Sequence, residues 1–206
     1  MSKIKICGIR RKEDINYVNE CNPDYIGFVF AKSKRQVSDD EVMRLRDALN
    51  KEITPVGVFV NEDIYRVAAL LNNEIIDIAQ LHGDETPEYI SSLRQLMQRG
   101  ELIKAVRVAN RQDIPNIDYA DVDYLLFDTY AKEAYGGTGK VFDWSLINNA
   151  GKPFFLAGGI NGDNVEAALC QVKPFAIDVS SAVEMDGYKD REKILDIVGR
   201  MRDADK

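Results

Sequence analysis

Short β-branched or aromatic runs alternate with helical patterns along the whole of the 206 residues, no Gly-x-Gly-x-x-Gly follows the first run, and no stretch rich in proline, glycine or serine divides the chain. Together these predict an α/β protein that is a single (β/α)8 barrel, a TIM barrel with a closed parallel eight-stranded sheet, spanning residues 1–206 as one domain. Alternation alone also fits an open, doubly wound sheet. The missing dinucleotide fingerprint favours the closed form.

The strand-like runs are Ile4–Cys7, Tyr25–Phe30, Thr54–Val60, Ile75–Leu81, Leu102–Val106, Tyr124–Asp128, Phe154–Ala157 and Ala176–Val179. Their starts lie roughly 20 to 30 residues apart, the length of one strand and one covering helix. In the first run Ile4 and Ile6 alternate with Lys5 and Cys7, so period two sends Cys7 to the face opposite the isoleucines, and Gly8 lets the chain turn. Ser38-Asp39-Asp40-Glu41 reads as a capped, acidic helix start before Val42, Leu45 and Leu49. Asn61 is expected to cap a helix carrying Ile64, Val67, Ala68 and Leu71, and Thr86-Pro87-Glu88 opens one with proline in its first turn. Asp143 precedes Trp144, Leu146 and Ile147; Asn161 precedes Val165, Ala168 and Leu169; a last helix is expected over about Asp190–Met201. The fifth connection, Asn110–Asp121, holds Pro115 and few apolar residues, which predicts a short or irregular turn.

Composition narrows the function. The net charge of −7 argues against a general affinity for nucleic acid. Against that acidic background Lys32–Arg35 is a local basic cluster, either a solvated loop or a clamp for a small anion. No apolar run is long enough to cross a bilayer, and the start is too short and too soon charged for a signal peptide, so a cytoplasmic protein with no membrane partner is expected. The cysteines at 7, 21 and 170 form no CxxC pair and suggest neither a disulfide framework nor a metal site.

In a closed parallel barrel the C-terminal strand ends converge on one mouth. Here they bring Cys7, Phe30 and the basic cluster, Val60-Asn61, Gln80-Leu81-His82-Gly83, Arg107, Asp128, Gly158-Gly159 and Asp178–Ser181. Asp128 ends an apolar strand, where a carboxylate either caps a loop or works; in a partly apolar mouth desolvation favours its neutral form, suited to a general acid. A buried Cys7 is either inert core or, with cationic neighbours to raise its thiolate fraction, a base. Gly158-Gly159 and Ser180-Ser181 fall at the seventh and eighth strand ends, where barrels build phosphate cups; tight turns are the plainer reading. Tyr135–Lys140 is too glycine-rich for a helix and suggests a flap. His82, the single histidine, lines the pocket or satisfies the core, and receives no catalytic part. The inward parity of Lys5 suggests a buried cation neutralised by Asp178 across the closing seam.

Ordered along the chain are Lys5-Ile6-Cys7-Gly8-Ile9, Gly27-Phe28-Val29-Phe30, Ser33-Lys34-Arg35, Val56–Val60, Gln80-Leu81-His82-Gly83, Phe127-Asp128-Thr129, Gly136–Lys140 with Phe142-Asp143-Trp144, Ala157-Gly158-Gly159 and Asp178-Val179-Ser180-Ser181. The set, end to end, resembles the phosphoribosylanthranilate isomerase family. The resemblance implies a cofactor-independent, metal-free Amadori rearrangement of N-(5-phosphoribosyl)anthranilate to 1-(2-carboxyphenylamino)-1-deoxyribulose 5-phosphate in tryptophan biosynthesis. It also implies Asp128 as general acid, Cys7 as general base and Arg35 on the anthranilate carboxylate. Substrate-binding residues are expected at Arg35, Gln80, His82, Gly158, Gly159, Asp178, Ser180 and Ser181, with a phosphosugar as the partner and a monomer or homodimer as the assembly. One departure stands out: Ala182 occupies a position where the family commonly has glycine.

Other readings on the same fold are weaker. A ribulose-phosphate epimerase needs a metal-type histidine and acid set that one histidine cannot supply, and indole-glycerol-phosphate synthase wants catalytic lysine and glutamate at the strand ends. A non-catalytic phosphate-ligand binder would have no use for Cys7 and Asp128 together.

Overall fold

A computed structural model of the protein describes residues 2–108, 121–129, 143–147 and 151–204. The strands β1 (Lys3–Cys7), β2 (Tyr25–Val29), β3 (Thr54–Phe59), β4 (Ile78–Leu81), β5 (Glu101–Val108), β6 (Tyr124–Thr129), β7 (Phe154–Leu156) and β8 (Ala176–Val179) pair in sequence order, and β8 returns to β1 to close the barrel. Every barrel pair is parallel, and the closing seam sets Lys5 opposite Asp178.

Strand alternation sorts the core into two layers. Tyr25, Val56, Ile78, Ile103, Ala105, Leu126, Phe155, Ala157 and Ala176 fill the barrel interior. The residues of opposite parity, among them Ile4, Ile6, Ile26, Phe28 and Leu102, face the surrounding helices. In β1 the interior positions next to the mouth are Lys5 and Cys7, so this strand sends a cation and a thiol toward the cavity.

The covering helices are α1 (Lys12–Cys21), α2 (Asp39–Asp47), α3 (Ile64–Asn72), α4 (Pro87–Leu96), α5 (Val165–Val172) and α6 (Arg191–Ala204). Ser38 and Glu41 form the capping box of α2, and the Thr86 hydroxyl accepts from Tyr89 at the start of α4. Helix α1 has no counterpart in the sequence reading: only Ile15, Val18 and Cys21 give it an apolar face, and it is started by Asp14, whose carboxylate accepts from the Arg10 and Arg11 amides.

Several boundaries differ from expectation. Asp63, not Asn61, caps α3; Asn61 adopts a left-handed backbone (φ 51°) and uses its side-chain oxygen to hold the Asp84 amide. After Asp143 the described residues form a 3-10 turn, Trp144–Leu146. By contrast α5 falls where expected, after Asn161 and starting at Val165. Strand β4 begins at Ile78 rather than Ile75, and β2 ends at Val29, leaving Phe30 to stack on Phe59 outside the barrel. Beyond β8 a 3-10 turn, Ser181–Val183, leads into an unexpected hairpin, β9 (Glu184–Met185) and β10 (Tyr188–Lys189), turned by left-handed Asp186 and Gly187. The irregular connection at 110–120 and the glycine-rich stretch 135–140 lie outside the described residues. Among the described residues no helix is long and apolar enough to cross a membrane.

Candidate active site

Interior parity at the C-terminal ends of the strands directs Cys7, Gln80, His82, Asp128 and Asp178 into one cavity of about 370 Å3. Its wall is completed by Arg35 and Ser33 from the basic cluster, by Gly158 and Gly159, and by Ser180, Ser181 and Ala182. Every residue expected to act on or bind the substrate lines this space. Arg107, also at a strand end, does not; it pairs with Asp84 on the rim.

Two glycines make room for the reactive groups. A methyl at Gly27 would sit 2.6 Å from the Cys7 sulfur, so only glycine on β2 lets the thiol occupy its place. Gly158 is left-handed (φ 82°), and a side chain there would come within 2.8 Å of Asp128 Oδ1 and collide with Thr129. Ala182, by contrast, lies inside the Ser181–Val183 turn and has no left-handed backbone, so its methyl brings no strain.

A buried polar chain crosses the barrel beneath the cavity. The Lys5 ammonium, with no exposure, donates to Asp178 Oδ2 at 2.9 Å and to Gln80 Oε1 at 2.8 Å. Gln80 Nε2 lies 2.7 Å from His82 Nδ1, and His82 Nε2 lies 3.3 Å from Asp128 Oδ2. That last contact is an approach rather than a formed bond, since His82 Nε2 has no hydrogen-bond partner among the described residues; Asp178 Oδ1 is likewise unpartnered. Asp128 is oriented from its other oxygen, which accepts from the Thr129 amide at 2.8 Å.

Burial works against the Lys5 ammonium, but the charges of Asp178 and Cys7 and their hydrogen bonds outweigh it and hold the proton more firmly than usual. Burial also pushes the Asp178 carboxyl up, against the pull of Lys5. With a donor-only ammonium at 2.9 Å, the pair is ionic. The Cys7 thiol is pushed up by burial; Lys5 and Lys189 pull it back in part, while Asp178 adds to the rise.

Arg35 is held by a group the sequence reading missed. Its Nε and Nη2 donate to the two oxygens of Glu184 at 2.7 and 2.8 Å, and Lys189 Nζ reaches the same carboxylate at 2.8 Å. Burial alone would raise Glu184, but hydrogen bonds and charge from Arg35 and Lys189 hold it at about 2. The guanidinium retains its Nη1 edge for a ligand. Ser180 also has a structural bond, donating from its hydroxyl to the Cys7 carbonyl at 3.1 Å and so tying the end of β8 to that of β1. No group of three or more histidine, cysteine or acidic side chains placed to hold a metal ion occurs among the described residues.

The family described as N-(5'phosphoribosyl)anthranilate (PRA) isomerase matches residues 4–200. The chain belongs to this family. Among the PRA isomerases, that of Acetivibrio thermocellus is 47% identical over 213 residues, covering 100% of this chain and 98% of the relative. That of Clostridium acetobutylicum is 48% identical over 206 residues, covering 98% of each. The crystal structure of the PRA isomerase from Thermotoga maritima superposes with a TM-score of 0.88 at 37% identity, covering 98% of this chain and all of that one. A further PRA isomerase structure, in complex with reduced 1-(o-carboxyphenylamino)-1-deoxyribulose 5-phosphate, has a TM-score of 0.85 at 34% identity, covering 98% of this chain and all of that one.

Proposed function

We propose that this chain isomerises N-(5'-phosphoribosyl)anthranilate to the aminoketose 1-(2-carboxyphenylamino)-1-deoxyribulose 5-phosphate, the Amadori step of tryptophan biosynthesis, with Asp128 as acid and Cys7 as base. The observation that carries this reading is the convergence of Cys7 on β1 and Asp128 on β6 in one cavity whose size suits a small ligand. Asp128 gives its proton to the ribose ring oxygen, which opens the ring to a Schiff base. Cys7 removes the proton from carbon 2, and the enolamine so formed tautomerises to the ketone. An acid on the sixth strand and a base on the first, not neighbours in the barrel, can address opposite sides of one sugar.

The remaining wall supplies anchoring at a distance from the reacting carbons. Arg35, pinned along one edge by Glu184, offers its other edge to the anthranilate carboxylate. The backbone at Gly158 and Gly159 and around Ser180, Ser181 and Ala182 receives the phosphate. Gln80, His82 and Asp178 face the sugar. The protein works in the cytoplasm as one barrel domain, as a monomer or a homodimer, without cofactor, metal or nucleic acid.

The test follows phosphoribosylanthranilate generated in situ by the loss of its anthranilate fluorescence. Cys7→Ala and Asp128→Asn each lower kcat by about 100-fold or more, the size of a positioned acid or base, while a product analogue still binds. Because burial holds the thiol above its ordinary range, kcat/KM climbs with pH through neutrality as the thiolate fraction grows. Unchanged rates in both variants would end the assignment.

A further inference from the structure

The polar chain under the cavity is directional, because each member can play only one part toward the next. Lys5 has donors and no acceptor, so the Gln80 atom it touches at 2.8 Å is the amide oxygen. That leaves the Gln80 NH2 group facing His82 Nδ1 at 2.7 Å. An NH2 group can only donate. His82 Nδ1 is therefore the lone-pair nitrogen, and the ring proton sits on Nε2, the atom 3.3 Å from Asp128 Oδ2. His82 is nine-tenths buried and Lys5 completely so, which leaves little water to offer an alternative partner.

We propose that Lys5 and Gln80 lock His82 in its neutral Nε2–H tautomer, making it a positioning residue that always presents a hydrogen-bond donor to Asp128. This rests on Asp128 serving as the acid. When its proton passes to the ring oxygen of the sugar, the carboxylate left behind gains the Nε2–H as a partner, and no proton leaves the imidazole. Either other state of the ring would work against the step. An imidazolium would hold Asp128 ionised before it could act, and the Nδ1–H tautomer would turn a lone pair on Asp128 and compete for the proton that the substrate needs. The Thr129 amide, holding Asp128 Oδ1 at 2.8 Å, leaves Oδ2 as the oxygen that the ring serves.

His82 is the single histidine of the chain, so nitrogen-15 labelling of histidine gives one ring's signals without overlap. At neutral pH the native enzyme is expected to show a protonated Nε2 and an unprotonated Nδ1. Gln80→Glu keeps a partner for Lys5 but puts an acceptor opposite Nδ1; it moves the ring proton to Nδ1 and lowers kcat about 100-fold. His82→Met, with no donor, falls by a similar factor, and His82→Gln, which returns an NH2 group near the Nε2 position, recovers at least tenfold over His82→Met. Binding of a product analogue to each variant shows that the barrel is formed. A native ring that is charged or carries its proton on Nδ1 would overturn the lock, as would a reversed tautomer in Gln80→Glu with kcat unchanged. The nitrogen signals are read without turnover, so a fully active Asp128→Asn would remove the acid while leaving the tautomer measured.

Discussion

Lys5 and Lys104 are both buried strand lysines, each bonded to a buried carboxylate, at 2.9 Å to Asp178 and 2.7 Å to Glu85. Their surroundings separate them. Lys104 lies on the outward side of β5 and donates to the Gly83 and Leu81 carbonyls as well as to Glu85, whose oxygens in turn accept from the Asn61 and Gly83 amides. Every member is satisfied, and the network staples the loops that follow β3 and β4. Lys5 lies on the inward side of β1, and the network it belongs to ends in two unpartnered atoms, Asp178 Oδ1 and His82 Nε2. Burial, only partly offset by Glu85, makes the Lys104 proton easier to lose, whereas Asp178 and Cys7 overcome burial to tighten that of Lys5. A closed buried ion network fixes structure; one left open at a cavity has bonds to offer a substrate.

The largest effect that sharpens this contrast is on stability. Lys104→Met strands the Glu85 charge and is expected to cost roughly 3 to 5 kcal/mol in urea unfolding, with kcat of the folded enzyme within about threefold of native, a factor too small for a lost catalytic group. A loss below about 1 kcal/mol would put the pair among weak surface bridges and break the comparison. Lys5→Met is expected to act the other way, lowering kcat about 100-fold. Asp178, already pushed up by burial, takes a proton instead of remaining a stranded charge, so urea unfolding moves less than for Lys104→Met. Equal destabilisation with native kcat would make Lys5 a second staple.

The smallest effect concerns Glu184 in the hairpin that pins Arg35. Its carboxyl is held at about 2 in the folded protein against an ordinary 4.5, so its contribution is complete above about pH 4.5 and lost as the pH falls toward 2. Discounted for the water around this half-buried carboxylate, the native enzyme should lose about 2 kcal/mol over that window that Glu184→Gln, which has no such proton to bind, does not lose. Identical acid profiles would show that the hairpin stays docked without the charge.

Much of the site was legible because a closed barrel turns strand parity into geometry. Once Ile4 and Ile6 are placed outward, Lys5 and Cys7 must point inward, and the pairing of Lys5 with Asp178 follows from the seam between the first and last strands. The capped starts of α2 and α4 were legible for a similar reason, since the capping side chains act within three residues of themselves. Helix α1 was not, because its apolar face is three residues wide and its first turn depends on Asp14 reaching back to the Arg10 and Arg11 amides. Asn61 was misread as a cap because its real partner, the Asp84 amide, comes from the next loop.

The strand-like runs, the inward parity of the thiol, the place of the carboxylate and the glycine pair at strand ends, and the family resemblance were legible in the sequence alone, because period-two patterning and ordered motifs are local properties of the chain. Only the tertiary structure decided that Glu184 and Lys189 hold Arg35, that Lys104 is sealed while Lys5 is not, and that Gln80 directs the ring proton of the lone histidine toward Asp128. Those outcomes depend on which donor meets which acceptor across segments far apart in the chain, and a hydrogen bond between such segments leaves no periodic trace in either.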